Sequence, residues 1–450
     1  MEPKMRRHQM SCDLACTLSI IVVAATVFVC SSTAQQCIYT YSDRTGNRYV
    51  EGYGTFPHVT SHYMHAPNRS KVDWLIGIDI DSQNVYWYAS NPHCVDRHCD
   101  TKQVYSFLHK VLDNTAPSYI GKFDIPGVLF LPPYQITIPG DASRYSHPIC
   151  LNGDRFGYIS GIGELVVSDV HGRVLNRRKL NAVRDGRLVV NRHRTKIAVY
   201  AAATTNRYEH GALGDKDEAI ELRILRTSDL KDESVIRLKS PAVFEGLSPF
   251  WADLEDSGRD GLVATVSDPI GGATLVLYSD EGVEVARSDP IGSRNQWRHQ
   301  LAVARFGPDA EMELASVRTP HLRSRPEFFQ LVGDRLIRVA SRYGYTTHTF
   351  GSRNLDMAVA GDFNGDGQPE LVLPSSSLRR VVGLQRTNGT EKACGIHEEP
   401  YGHGLEEVWS VWLGGERVAS NLAALQLNGG RLGLGVALTN GTIRVMMPTY

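Results

Sequence analysis

Short apolar runs recur along most of the chain, with polar residues alternating inside them and Gly, Asn, Asp, Ser or Pro between them. Alternation with a period of two is typical of strands with one buried face, whereas a helix would show apolar positions every three or four residues. Segments 275–285 and 328–339 each hold two such runs joined by an acidic turn, which predicts a β-hairpin in both. The chain also has 41 glycines. We therefore predict an all-β protein with many turns.

The hairpin turns recur at a nearly constant spacing. Seven turn residues follow one another at separations of 56, 60, 51, 54, 54 and 52 residues: Asp113, Asp169, Asp229, Asp280, Asp334, Asn388 and Asn440. Such a period is similar to that of a four-stranded propeller blade. We predict one seven-bladed β-propeller domain at 35–450, with six or eight blades as alternatives because a competing turn lies between 81 and 84.

An acidic, glycine-rich segment between two apolar runs predicts a calcium loop. Oxygens at its first, third, fifth and ninth positions can converge on one hard cation, with a backbone carbonyl from Gln368 as a further ligand. The side chains that supply them are Asp362, Asn364, Asp366 and Glu370. An EF-hand is excluded, since its twelfth position needs a glutamate and Leu373 stands there. The ligands nearly fill the coordination shell of calcium, so we expect a structural ion between two strands.

Two other segments share this layout in part. A weaker second loop is formed by Asp253, Glu255, Asp256 and Asp260, with Gly261 at the ninth position. Segment 303–314 has Arg305 at the first position, so we do not expect it to bind a cation.

Segment 361–372, with the sequence GDFNGDGQPELV, resembles the FG-GAP/VCBS repeat of integrin-α-like propellers. With its two partial copies, the resemblance covers roughly 244–377. It implies a calcium-stabilised β-propeller, secreted or at a cell surface, that binds proteins or glycans. It does not imply one activity.

The N-terminus has the pattern of a secretory signal peptide. Lys4, Arg6 and Arg7 precede a charge-free run from 14 to 36, and Ser32 and Ala34 fit cleavage before Gln35. We predict a signal peptide at 1–34 and a secreted protein, extracellular or periplasmic, with no membrane span after cleavage. An uncleaved membrane anchor is the alternative, because the apolar run approaches the length that spans a bilayer.

Five cysteines would remain after cleavage, in an oxidising compartment: Cys37, Cys94, Cys99, Cys150 and Cys394. Disulfides are favoured there. Cys94 and Cys99 are close enough in sequence to close a local loop, and Cys37 has Cys150 or Cys394 as possible partners, so the connectivity stays open. A zinc site is less favoured, because no C-x-x-C pair with matched histidines is present.

Charge and motifs exclude several classes of function. The formal net charge is −1, which gives no field to attract nucleic acid. The sequence also lacks a G-x-S-x-G elbow, a phosphate-binding glycine loop and an H-E-x-x-H helix.

Several loops are rich in Arg, Tyr and His, and the densest is 204–215. In a lyase acting on uronate polysaccharide, Arg or His would neutralise the carboxylate while Tyr or His removes a proton. The candidates are Arg207, Tyr208, His210 and His147. A glycoside hydrolase is a weaker possibility, with Glu209 and Asp215 as acids. The simpler interpretation is that these residues hydrogen-bond the loops together. Loops of similar composition lie at 295–300, 318–321, 348–354 and 401–404.

Together these patterns predict a secreted, monomeric, calcium-stabilised propeller. We expect it to bind an extracellular protein or polysaccharide as an adhesion module. The alternative is a secreted lyase that acts on acidic polysaccharide.

Overall fold

The computed structural model describes residues 139–143, 149–152, 155–169, 171–292, 294–322, 324–351, 355, 357–388, 404–426, 432–439 and 443–446, and three strands before them. The signal peptide at 1–34, His147, Cys37, Cys94, Cys99 and Cys394 lie outside the described residues. Cys150 lies in a strand.

The described chain is built from strands. The first eleven are β1 His62–His65, β2 Asp73–Asp79, β3 Asn84–Ala89, β4 Ile149–Asn152, β5 Arg155–Ile159, β6 Glu164–Asp169, β7 Val174–Lys179, β8 Val189–Val190, β9 Lys196–Thr204, β10 Glu218–Arg226 and β11 Asp232–Arg237. The next nine are β12 Val243–Phe244, β13 Phe250–Ala252, β14 Gly261–Asp268, β15 Gly272–Tyr278, β16 Glu284–Ser288, β17 Arg298–Ala304, β18 Glu313–Arg318, β19 Arg325–Val332 and β20 Arg335–Ser341. The last seven are β21 Val359–Gly361, β22 Glu370–Pro374, β23 Arg380–Arg386, β24 Leu405–Trp412, β25 Val418–Gln426, β26 Leu432–Leu438 and β27 Ile443–Met446.

Consecutive strands pair antiparallel in small groups. Strands β4–β7 and β21–β24 each form a four-stranded sheet, and β1–β3 and β25–β27 each form a three-stranded one. Strands β8–β11, β13–β16 and β17–β20 repeat the antiparallel pattern, and they are joined into one larger sheet by β12 and by a parallel contact between β16 and β20. The prediction of an all-β fold is confirmed in the part of the chain that the structure describes. Blade number, ring closure and the domain boundaries stay predictions.

The predicted hairpins are present. Asp169, Asp229, Asp280 and Asp334 lie at the turns between β6 and β7, β10 and β11, β15 and β16, and β19 and β20. Asn388 follows β23, while Asp113 and Asn440 lie outside the described residues. The period read from the turns is therefore a period of strands, at least from 149 to 388.

The core lies between neighbouring sheets. Leu301 and Phe328 of one sheet pack in a single cluster with Leu371 and Leu384 of the next. Each of these four side chains is fully buried, so the packing of sheet on sheet removes a large apolar area from water and stabilises the fold.

Antiparallel connections alternate between the two ends of the strands and create two sets of loops. We call 253–260, 305–312 and 362–369, with the hairpin turns, the lower loops. The upper loops leave the opposite ends, at 160–163, 205–217, 245–249, 269–271, 289–297, 319–324 and 342–358. The described residues include no helix long and apolar enough to cross a membrane.

Candidate functional sites

The predicted calcium loop joins β21 to β22. Gly361 at the end of β21 pairs with Glu370 at the start of β22, so the strand register brings the two ends of the loop together. Gly365 and Gly367 have positive φ angles of 81° and 88°, which residues with a Cβ rarely adopt. These glycines allow the short connection to curl back on itself.

The acidic side chains of this loop point inward. Asp362 accepts hydrogen bonds from the backbone N–H groups of Gly365 at 2.6 Å and Gly367 at 2.9 Å. Among the residues that the structure describes, Asp362, Asp366 and Glu370 form the one acidic or histidine set whose ligand atoms all lie within 4.8 Å of one another. Three carboxylates at this spacing repel one another unless a cation lies between them.

Glu370 is the member of this set whose negative charge is least favourable. It is fully buried, and one carboxylate oxygen accepts from the N–H of Phe363 at 2.7 Å. The other oxygen is buried without a hydrogen bond of normal geometry, although the Trp409 side chain is close enough to favour the charged form slightly. Burial, then the charges of Asp362 and Asp366, raise the pKa of Glu370 to about 8 against the opposing hydrogen bond from Phe363. Its charged form is therefore disfavoured unless a cation lies beside it.

The other two predicted ligands take supporting places. Asn364 accepts from the N–H of Asp366 at 2.9 Å and donates to its carboxylate at 3.0 Å. Burial raises the pKa of Asp366, but hydrogen bonds from Gln385, Gln368 and Asn364 outweigh it and lower the pKa overall. The Gln368 side chain donates to the carbonyls of Phe306 and Arg386, both at 3.0 Å. The Gln368 side chain thus ties the loop to Phe306 and to Arg386 of β23, and its backbone carbonyl lies 3.5 Å from the Gln385 amide.

The second loop, between β13 and β14, satisfies its acids differently. Asp253 accepts from the N–H groups of Ser257 and Gly258, as Asp362 does in its own loop. Asp256 pairs with Arg305 at 2.5 Å and Asp260 pairs with Arg192 at 3.2 Å. Glu255 is exposed. Side-chain cations from neighbouring loops thus face two of its four predicted ligands, and weak calcium binding there stays a prediction.

The third loop, between β17 and β18, contains a positively charged side chain, that of Arg305. Arg305 donates to the carbonyl of Ala310 at 3.2 Å within the loop. Glu313, at the ninth position, is fully buried and pairs with Arg386 at 2.8 Å. The three loops close at equivalent register, with the pairs Ala252 and Gly261, Ala304 and Glu313, and Gly361 and Glu370.

A second cluster lies among the upper loops, on the side of the strands opposite the calcium loop. Its rings form a continuous chain, with centroids 6.0 Å apart for Tyr208 and His210, 5.9 Å for His210 and His321, and 5.6 Å for His321 and His348. Trp297 contacts His348 at 5.3 Å and packs with Leu247 and Leu355 beneath the loops.

This upper cluster contains a buried histidine–carboxylate pair. Nδ1 of His210 contacts the Glu245 carboxylate, whose second oxygen accepts from the hydroxyl of Ser267. The side chains of His210 and Glu245 are 5% and 4% exposed, so little water screens their interaction. A carboxylate at Nδ1 fixes the orientation of the ring and leaves Nε2 as its other polar atom.

The other two described residues predicted for catalysis, Tyr208 and Arg207, make different contacts. The Tyr208 hydroxyl is buried and accepts from the N–H of Asn295 at 3.0 Å, and burial, then the Glu245 charge, raise its pKa. Arg207 donates to the carbonyl of Leu238 at 3.2 Å. The structure therefore brings Tyr208 and His210 together and directs the Arg207 guanidinium to a backbone carbonyl.

The two carboxylates considered for a hydrolase lie at the rim. Glu209 is exposed and lies 3.5 Å from the Lys216 ammonium. Asp215 accepts from the N–H of Asp217 at 3.1 Å. These contacts are those of a solvated loop, and they show no pair of acids held for glycoside cleavage.

Four of the polar loops noted in the sequence converge in this cluster, which pattern alone could not show. Glu245 and Ser267 are members that sequence reasoning missed. Glu245 follows Phe244 in a short apolar run. The only signal in the sequence was an acidic residue at a position where this run predicts a buried apolar side chain. Tyr401 and His403 of a fifth loop lie outside the described residues.

The chain matches no protein-family model and no curated protein. Solved structures similar to it include BamB from Moraxella catarrhalis, at 10% identity and TM-score 0.37, over 66% of this chain and 68% of that chain. The C-terminal WD40 domain of Sif2 is 12% identical with TM-score 0.37, over 65% of this chain and 63% of that chain. BBS1N, in a complex with ARL6DN, is 14% identical with TM-score 0.39, over 68% of this chain and 79% of that chain. Superpositions this loose support no inference about activity, and the FG-GAP/VCBS resemblance stays a prediction based on residues alone.

Proposed function

We propose that this chain is a secreted, seven-bladed β-propeller, stabilised by calcium at the loop between β21 and β22, whose upper loops bind an extracellular protein. The observation that carries the binding role is the exposure of apolar side chains. The four most exposed large hydrophobic residues among those described are Ile270 at 84%, Ile162 at 75%, and Leu322 and Phe350 at 68% each. All four lie in upper loops.

Exposed apolar side chains favour a protein partner over a sugar. A scattered hydrophobic residue on a surface needs no explanation, but several gathered at one end of the strands are typical of an interaction surface. Protein interfaces bury such side chains at their centre and surround them with polar residues. Glycan binding is the alternative to test, because the aromatic rings of His321 and Phe350, with centroids 5.5 Å apart, lie at the same loops.

The oxygen ligands of the loop between β21 and β22 fit calcium. Asp362, Asp366 and Glu370 supply carboxylate oxygens, and Asn364 and the Gln368 carbonyl add neutral ones. Calcium prefers such oxygen ligands. When bound there, the ion would neutralise the buried Glu370 carboxylate and hold β21 and β22 together.

One observation supports the lyase alternative, the buried pair of His210 and Glu245. A lyase also needs a cation to neutralise the uronate carboxylate. The Arg207 guanidinium donates to a carbonyl, and the Glu245 carboxylate beside His210 would repel the carboxylate of a uronate. We therefore rank this activity second.

The test is binding to arrayed secreted proteins and arrayed glycans with an upper-loop variant, I162S/I270S/L322S/F350S. The matched control is V283S/V332S, which changes exposed apolar residues near the lower turns. We expect the parent and the control to bind defined protein spots and the upper-loop variant to lose at least about tenfold in affinity.

Three outcomes would overturn the proposal. They are binding to glycans alone, equal binding by the upper-loop variant, and release of unsaturated product from uronate polysaccharide that a Y208F/H210A variant abolishes. The last would establish the lyase instead. Thermal melts of every variant exclude misfolding as the cause.

A further inference from the structure

Three histidines from three separate upper loops line up in the cluster described above. His210 lies in the connection between β9 and β10, His321 between β18 and β19, and His348 between β20 and β21. His321 is the middle ring, with centroids 5.9 Å from His210 and 5.6 Å from His348. Residues so far apart in sequence meet only because the loops of neighbouring sheets converge.

We propose that these histidines bind a divalent transition-metal ion such as Zn²⁺, with His321 as the central ligand. The proposal does not depend on the calcium site or on the binding role of the upper loops.

The spacing is near that of a metal site but wider. Two imidazoles on one zinc ion, each with a bond of about 2.1 Å, place their ring centroids roughly 5 Å apart. The observed separations exceed this by less than about 1 Å. The nitrogens do not converge in this structure, since among the described residues no histidine belongs to a set of three or more groups whose ligand atoms lie within 4.8 Å of one another. Binding therefore requires the rings to rotate and draw together.

The orientation of His210 suits ligation. Its Nδ1 contacts Glu245, which is itself fixed by the hydroxyl of Ser267. A carboxylate on one ring nitrogen of a metal-binding histidine is the usual arrangement, because it sets the tautomer and raises the basicity of the other nitrogen. Glu245 is a positioning residue in this scheme.

His321 has an unsatisfied polar atom. Its Nδ1 is buried without a hydrogen-bond partner. A buried polar atom left without a partner costs free energy, and a metal bond would remove that cost at His321.

The surrounding charge favours a cation. The Glu245 carboxylate contacts His210 and opposes an anionic ligand at this end of the cluster. Imidazole ligands select zinc, copper or nickel over calcium, which prefers the all-oxygen loop at the other end of the strands.

The test uses untagged full-length protein, stripped with chelator and then freed of it. Calorimetric titration with Zn²⁺ measures affinity, and Co²⁺ absorption in the visible range reports nitrogen coordination. We expect one equivalent of Zn²⁺ to bind, with affinity reduced at least about tenfold in H321A and in H210A. The matched control H171A removes an exposed histidine from the turn between β6 and β7 and should bind as the parent does.

Saturable binding that persists in H321A, or that falls equally in H171A, would overturn the proposal, as would no binding at all. H321Q keeps a polar side chain of similar size, so a folded H321Q protein without zinc binding separates ligation from stability. The calcium-site variant D362A should retain full zinc affinity. Loss of zinc binding in D362A would mean that zinc binds at the loop between β21 and β22 instead of at the histidines.

Discussion

The loops after β17 and after β21 have the same length and close at the same register, yet they satisfy the same buried acid in different ways. Glu313 and Glu370 each begin the second strand, and both are fully buried. Glu313 accepts hydrogen bonds from Arg386 at 2.8 and 3.2 Å and from Gln330 at 3.0 Å. Glu370 accepts one, from the Phe363 N–H, and faces Asp362 and Asp366.

The groups that face the buried acid explain the difference. Glu313 faces the guanidinium of Arg386, whereas Glu370 faces the carboxylates of Asp362 and Asp366. Where the chain supplies side-chain cations, the loop is complete in itself. Where it supplies only acids, an unpaired carboxylate in the protein interior is costly. Glu370 then either takes up a proton, as its raised pKa indicates, or is balanced by a cation from solution, which stays a prediction. The loops thus share one strand register, and they differ in the charges that face the buried acid.

The largest expected effect comes from removing the internal cation of the completed loop. Arg386→Met leaves Glu313 buried without its guanidinium, and we expect a loss of about 3–5 kcal/mol in the free energy of unfolding. Denaturant unfolding in the presence of calcium measures it. The double variant E313Q/R386M removes both charges and should recover most of the loss. A single variant as stable as the parent would show that the pair does not balance the buried acid.

A smaller effect is expected at Glu370, and its sign depends on pH. The folded pKa is about 8 against an ordinary value of 4.5. Without calcium, Glu370 therefore holds its proton in the folded state and loses it in the unfolded state between these pH values. Its contribution to the free energy of unfolding is largest at low pH and falls as the pH rises toward 8. Glu370→Gln should flatten this decline, which we expect to be a few kcal/mol at most.

The same variant should also abolish calcium-dependent stabilisation. Melting temperatures with calcium and with chelator, from pH 5 to 8, measure both effects. Asp256→Asn, in the second loop, is the matched control, since its carboxylate already pairs with Arg305. An E370Q protein whose melting temperature rises with calcium as much as the parent's would refute the assigned ligand.

Local patterns predicted the strands, the hairpin turns and the alignment of the three loops. Such features depend on residues within a few positions of one another, as in the pair of Asp362 and Gly365. The partner of Glu313 could not be predicted, because Arg386 lies 73 residues away and meets it only when two sheets pack together. The upper cluster was half predicted. Loop composition singled out His210, but its contact with Glu245 depends on how separate loops converge.

The smallest expected effect tests whether geometry or charge limits metal binding in the third loop. Arg305→Asp restores acids at the three positions that Asp362, Asp366 and Glu370 occupy, since Asp309 and Glu313 already stand at the other two. It removes an exposed ion pair with Asp256, so we expect a loss of stability of at most about 1 kcal/mol.

Arg305→Asp alone should gain no calcium response, because Arg386 still neutralises Glu313. Calorimetric titration should find one calcium equivalent fewer in R305D than in R305D/R386M, where Glu313 is released. A second equivalent in R305D alone would mean that calcium can displace a buried arginine. The guanidinium would then not be what separates the two loops.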